Sequence, residues 1–171
     1  MPNHVTNEII FRGVNAEKQE ELLAVLCNAK GHVDFEILVP LPLNMWWGSV
    51  GTEHEKAFGR TALDWARENW GTKWNAYSCQ PIERTEDTLT LRFDTAWAPP
   101  YPWLAAVFNR FQIGFEHNSL VEGAIKARHG VFKWDAMNDI IGEAWQEDDA
   151  DDALQKRLHL LKWGVESFED E

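Results

Sequence analysis

Between Leu89 and Trp97, apolar Leu89, Leu91, Phe93 and Trp97 alternate with polar Thr90, Arg92 and Asp94. In extended backbone, successive side chains leave opposite faces, so this period of two demands a strand buried on one side and paired with others. Three further stretches offer such partners. His4 to Phe11 places Val5, Ile9 and Phe11 on one face. Val33 to Val39 alternates Val33, Phe35, Ile37 and Val39 with Asp34 and Glu36, and is closed by Pro40 and Pro42, which cannot donate to a ladder. Phe111, Ile113 and Phe115 alternate again, with further extended stretches expected at 119–127 and 130–134.

Helical patterns separate these strands. Asn15 can cap a helix over 16–30, with Leu22, Leu23 and Leu26 as its stripe and Gly31 beyond its end. Residues 41–50 read as a loop. Two capping boxes follow, Thr52-x-x-Glu55 and Thr61-x-x-Asp64, the second opening a helix whose Leu63, Ala66 and Trp70 share a face. A strand over 73–82 leads through the polar turn 84–87 into the Leu89 strand. A short helix is expected at 103–110, and a last one from Asp151 to Trp163 carries Leu154, Leu158, Leu161 and Val165. Two β-α-β units in this order predict an α+β fold. It is a ferredoxin-like split β-α-β sheet with a helical insertion near 41–71, extra C-terminal strands and a terminal helix. The expected organisation is a domain over 1–135 and an acidic helical extension over 136–171 packed on it.

The polar residues carry little sign of catalysis. The six histidines show no H-x-x-x-H or H-E-x-x-H spacing, Cys27 and Cys79 form no C-x-x-C, and phosphate-binding glycine motifs and G-x-S-x-G are missing. Neither catalytic residues, nor a metal, nor a cofactor is expected. Cys27, among the leucines of the first helix, reads as a buried free thiol. The N-terminus lacks a signal-peptide core and no apolar run reaches membrane-spanning length, which favours a cytoplasmic location without membrane contact.

Two features invite binding. The first is Asn69-Trp70-Gly71-Thr72-Lys73-Trp74-Asn75, which a hairpin turning near residue 85 brings beside Asp94 and Trp97. Trp70, Trp74 and Trp97 would then cluster, with Lys73, Asn75 and Asp94 as polar handles. The cluster is either a stacking platform for a base, sugar ring or cationic side chain, or a hydrophobic plug between helix and sheet. The second is charge. Residues 142–171 hold ten acids and three bases, a net of -7 out of -12, while the first 141 residues carry -5. The run Glu147, Asp148, Asp149, Asp151 and Asp152 reads as a solvated helix start or as a surface for a basic partner. So acidic a chain is not expected to bind nucleic acid directly.

The opening Met1-Pro2-Asn3-His4-Val5-Thr6-Asn7, the Pro40-Leu41-Pro42 stretch, the block Trp70-Gly71-Thr72-Lys73-Trp74-Asn75 and Phe93-Asp94-Thr95-Ala96-Trp97-Ala98-Pro99-Pro100 together resemble the YubB ferredoxin-like family of phage, prophage and plasmid proteins. The similarity spans roughly residues 1–135, with the tryptophan block as its most specific part. Residues 121–126 match less well, and the acidic tail after Asp135 lies outside it. The resemblance implies a ferredoxin-like fold and a mobile-element origin, and it brings no catalytic residues. The expectation is a non-enzymatic accessory protein that binds a host or element-encoded protein and interferes with nucleic-acid handling or defence. The alternative is a small-ligand or carbohydrate-binding module using the tryptophan cluster.

Overall fold

The computed structural model describes residues 3–45, 52–59, 61–133 and 144–164. Its strands are β1 (His4–Arg12), β2 (Glu83–Arg84), β3 (Thr88–Ala96), β4 (Phe115–Val121), β5 (Arg128–Lys133) and β6 (Ala144–Asp149). Its helices are α1 (Ala16–Leu26), α2 (Phe35–Leu38), α3 (Thr52–Phe58), α4 (Ala62–Asn69), α5 (Tyr101–Phe111) and α6 (Asp152–Trp163). The strands form one antiparallel sheet in the order β2-β3-β1-β4-β5-β6. Its first four positions, β2-β3-β1-β4, are the two interleaved units expected of a split β-α-β fold, β1-α1-β2 and β3-α5-β4.

Alternation along β1 builds two different layers. Ile9 and Phe11 face α1 and α5, where they join Leu22, Leu26, Leu89, Leu91, Phe93, Trp103, Leu104, Val107 and Phe108 in the main core. The opposite face carries Thr6 and Glu8, and α6 lies across it, with Leu158 packed on Leu120 and Ala127. The sheet is therefore covered on both sides.

Four sequence expectations are corrected. The stretch 33–39 is not a strand. Only Val33 bridges, to Cys27, and residues 35–38 turn into α2 because the Asp34 side chain accepts the Glu36 N–H while Asn75 Oδ1 takes that of Phe35. Its alternation signals a half-buried turn, with Phe35 in the core and Ile37 outside. The second strand of the first unit comes instead from 73–84. It is a broken edge with one bridge, Tyr77 to Asp94, before the short β2, and Ser78 interrupts it at φ 50°. Helix α1 stops at Leu26, so Cys27 is the residue that ends it, buried as a free thiol, and Gly31 serves the turn after it at φ 74°. Phe111 is the last residue of α5, and β4 begins only at Phe115.

The acidic run also differs from a helix start. Glu147, Asp148 and Asp149 belong to β6, paired with β5 from Arg128 to Lys133, and only Asp151 caps α6. The Thr61–Asp64 capping box forms as expected, and Gly164 ends α6 in left-handed backbone. The Thr52 box depends on a Glu55 side chain outside those described, as are Trp46, Trp47, Trp134 and Val165. No helix among the described residues is long and apolar enough to cross a membrane.

Candidate functional site

The site grows from the junction of α4 with the end of β3. Gly71 sits at φ 84°, and a Cβ there would lie 2.4 Å from Pro102 Cδ, so only glycine lets the chain pass the start of α5 this closely. The next residue, Thr72, is buried and ties the passing segment to the sheet. Its Oγ1 donates to the Ala96 carbonyl at 3.0 Å and accepts the Ala96 N–H at 3.2 Å. Lys73 and Trp74 are thereby held beside the last turn of β3.

At that turn Trp97 adopts φ 77°. Left-handed backbone in a bulky aromatic residue costs on the order of 1–3 kcal/mol and persists only where surrounding bonds impose it. Here the Trp97 N–H donates to the Asn3 carbonyl at 2.9 Å, and Thr95 Oγ1 donates to the Ala98 carbonyl at 2.8 Å. The indole is consequently turned outwards, 42% exposed, and Trp74 is 45% exposed. The Lys73 ammonium is close to both rings, 4.7 Å from the Trp74 ring centre and 4.6 Å from that of Trp97. The Arg67 guanidinium lies 4.8 Å from the Trp97 centre. Both cations are attracted by the electron-rich ring faces. Among the described residues, neither Lys73 nor Arg67 has a carboxylate at ion-pair distance. The patch extends to Tyr77, edge-on to Trp74, whose hydroxyl contacts His4 Nδ1 at 2.7 Å. Burial, reinforced by Asp94 and Glu122, pushes that phenol up to about 12.

The expected tryptophan cluster therefore divides. Trp74 and Trp97 come together, but Trp70 is buried against Phe35 and Trp65 and donates its indole N–H to the Val39 carbonyl at 2.9 Å. Asn75 is a structural clamp. Its Oδ1 accepts from Phe35 and Ala76 backbone N–H groups, and its Nδ2 donates to Asp34, each at 2.8 Å. Asp94 accepts from Thr6 Oγ1 at 2.9 Å in a small cleft of about 90 Å³ between β3 and α6, near Lys162. Burial raises its carboxyl, against the pull of Thr6 and Lys162. Arg67 and Tyr77, which do belong to the patch, are not singled out by sequence. The i to i+6 step from Arg67 to Lys73 crosses a helix end, and no periodic pattern spans it.

The acidic run is largely engaged within the molecule. Glu147 accepts from the Tyr101 hydroxyl at 2.8 Å and pairs with Arg128, and Asp149 pairs with Arg128 at 2.6 Å and with Lys126. Asp151 accepts the Leu154 N–H. Asp148 and Asp152 remain exposed, without a partner among the described residues.

The strongest buried electrostatics lie under α6. Glu8, fully buried, receives Arg92 Nε at 2.7 Å, Arg157 Nη2 at 2.6 Å and Asn118 Nδ2 at 2.9 Å, while Arg92 also bridges to Glu83. Burial pushes this carboxyl up, but the Arg157, Arg92 and Asn118 hydrogen bonds outweigh it and hold it below the ordinary range. On the core face, His117 meets Asn7 Oδ1 at 3.1 Å, and burial lowers its imidazole to about 3. No group of three His, Cys, Asp or Glu side chains converges as a metal site would among the described residues. Glu8 and His117 hold the layers together, whereas at the rim patch aromatic and cationic groups face outwards, as Trp163 and Lys162 also do at the end of α6.

Residues 73–160 match the family model of the ferredoxin-like domain in Api92-like protein, and the chain belongs to that family. The match starts at Lys73 and runs through β6 into α6, so the family similarity covers the acidic segment that the residue-by-residue resemblance left out. No curated protein and no solved structure matches the chain.

Proposed function

We propose that this is a non-enzymatic accessory protein that binds a small ring-bearing ligand through the Trp74–Lys73–Trp97–Arg67 patch. One observation carries this reading: an indole in strained left-handed backbone, turned outwards and sharing a cation with a second exposed indole. Such strain is retained where it serves recognition. Among the described residues, the sheet faces offer no comparable platform. Many β-α-β-β-α-β modules bind through aromatics on an open sheet, but here α6 covers that surface through Arg157 and Lys162. The resemblance of the tryptophan block to YubB-like proteins supports an origin in a phage, prophage or plasmid and a place in the host cytoplasm.

The test is a thermal-shift and calorimetric titration with a panel of oligosaccharides, nucleotides and peptides, on wild type and on Trp74→Ala and Trp97→Ala. A response abolished in both variants while circular dichroism is unchanged supports the reading. A silent panel, or a response indifferent to both substitutions, refutes it.

A second reading is favoured by Asp148 and Asp152, which stay exposed at the β6–α6 corner. There the protein would meet a basic surface of a host or element-encoded protein, interfering with nucleic-acid handling or defence. Salt-sensitive association lost on neutralising Asp148 and Asp152 distinguishes it.

A further inference from the structure

Resting on the reading of the rim patch as a ligand site, we propose that its ligand is a nucleoside monophosphate unit, with the base between Trp74 and Trp97 and the phosphate on Lys73 and Arg67. The ammonium lies 4.7 and 4.6 Å from the two ring centres, which limits their separation to about 9.3 Å. A flat ring held between two others needs about 7 Å, two carbon contact distances of about 3.5 Å. That separation lies inside the limit, so a planar ring that displaces Lys73 can contact both exposed indoles once they align.

Charge selects the class of ring. A neutral sugar would stack on indoles but leave Lys73 and Arg67 without a counter-charge. A cationic side chain would have to expel one ammonium and stay beside another cation. An anionic ring ligand meets both requirements, since the base displaces Lys73 from the slot while the freed ammonium follows the phosphate. Arg67, already over the Trp97 ring, offers the second donor, and its fork suits phosphate oxygens. Among the described residues, neither cation has a carboxylate partner to displace. The overall charge of -12 limits how much phosphate the protein tolerates. A single nucleotide or one unpaired nucleotide of a strand fits, and a duplex backbone does not.

The experiment is calorimetry with AMP, adenosine, inorganic phosphate, an oligothymidylate, cellobiose and a glutamate-rich peptide. Indole N–H resonances are followed in parallel and assigned through Trp74→Phe and Trp97→Phe. Expected are AMP binding that moves the Trp74 and Trp97 signals but not that of Trp70, and at least tenfold weaker binding of adenosine and of phosphate alone. Lys73→Met and Arg67→Met should each weaken AMP at least tenfold with an unchanged melting temperature. Tighter binding of the oligothymidylate identifies a strand as the source of the nucleotide, and AMP binding as tightly or more so identifies the free form. Phosphate binding as well as AMP, or AMP binding unaffected by Lys73→Met, overturns the assignment. A cellobiose or peptide response at the same indoles with both nucleotide probes silent overturns the ligand class and leaves the site standing. Silence of every probe removes both.

Discussion

Arg157 on α6 and Glu8 on β1 lie 149 positions apart in sequence and share two hydrogen bonds, one of 2.6 Å, in a site where the carboxylate has no solvent contact. The pair fixes the terminal helix over the sheet and makes Glu8 the hub of a Glu83–Arg92–Glu8–Arg157 chain. Removing a buried partner leaves uncompensated charge, so Glu8→Ala should cost about 3 kcal/mol. Arg157→Met, at the exposed side of the same pair, should cost about 1 kcal/mol. Urea denaturation of the two variants checks the order. Glu8 is held below its ordinary 4.5, so its contribution is present above that pH and is lost as pH falls through its lower folded value.

His117 acts in a different window. Its imidazole ordinarily titrates near 6.5 and is lowered by burial to about 3, with a smaller upward pull from Glu8. As pH falls below 6.5 the unfolded chain takes up a proton that the folded protein refuses. Stability is therefore complete above that pH and declines progressively toward pH 3. In the interval from 6.5 to 4.5, His117→Gln should reduce the acid slope of unfolding free energy by about one proton relative to wild type. Equal slopes would show that His117 is protonated in the fold.

The three tryptophans of the sequence cluster should respond in opposite ways. Trp70→Ala empties a core position and should cost about 3–5 kcal/mol. Trp74→Ala, half exposed, should cost under about 1 kcal/mol. Trp97→Gly relieves φ 77° and should leave stability unchanged or raise it by about 1 kcal/mol. Chemical denaturation of the three purified variants decides the matter, and a large loss in Trp97→Gly would make that indole scaffold.

Gly71→Ala should be more damaging than its size suggests. The new methyl meets Pro102 Cδ at 2.4 Å and the backbone is left-handed, so about 2 kcal/mol or more should be lost. The Lys73–Trp74 segment should move with it, visible as a change in near-ultraviolet circular dichroism from the tryptophans.

Much of the fold is legible in the sequence because its strands bury one face. Ile9, Leu91 and Phe93 reveal β1 and β3 through that alternation, and the outer part of the hairpin register is readable too, whereas β2 is displaced from it, pairing Glu83 with Thr90 and Arg84 with Leu89. Trp74 with Trp97 and Tyr77 with Asp94 are symmetric about the same midpoint, and the second pair forms the observed bridge. The strand at 33–39 misleads because side chains from distant Asn75 and adjacent Asp34 satisfy its backbone instead of a neighbouring strand. Likewise the role of the acids in β6 depends on Arg128 and Lys126, which pairing with β5 brings alongside. At the site, Lys73, Trp74 and Trp97 are evident from composition. The separation of Trp70 from them is not, because it depends on the direction in which Gly71 turns the chain.

The most direct measurement is calorimetric titration of wild type and Trp97→Gly with whichever member of the ligand panel binds most tightly, alongside their melting temperatures. Recognition at the rim predicts that Trp97→Gly melts no lower than wild type yet binds at least tenfold more weakly. Equal affinity in the two proteins would contradict it and place recognition elsewhere on the molecule.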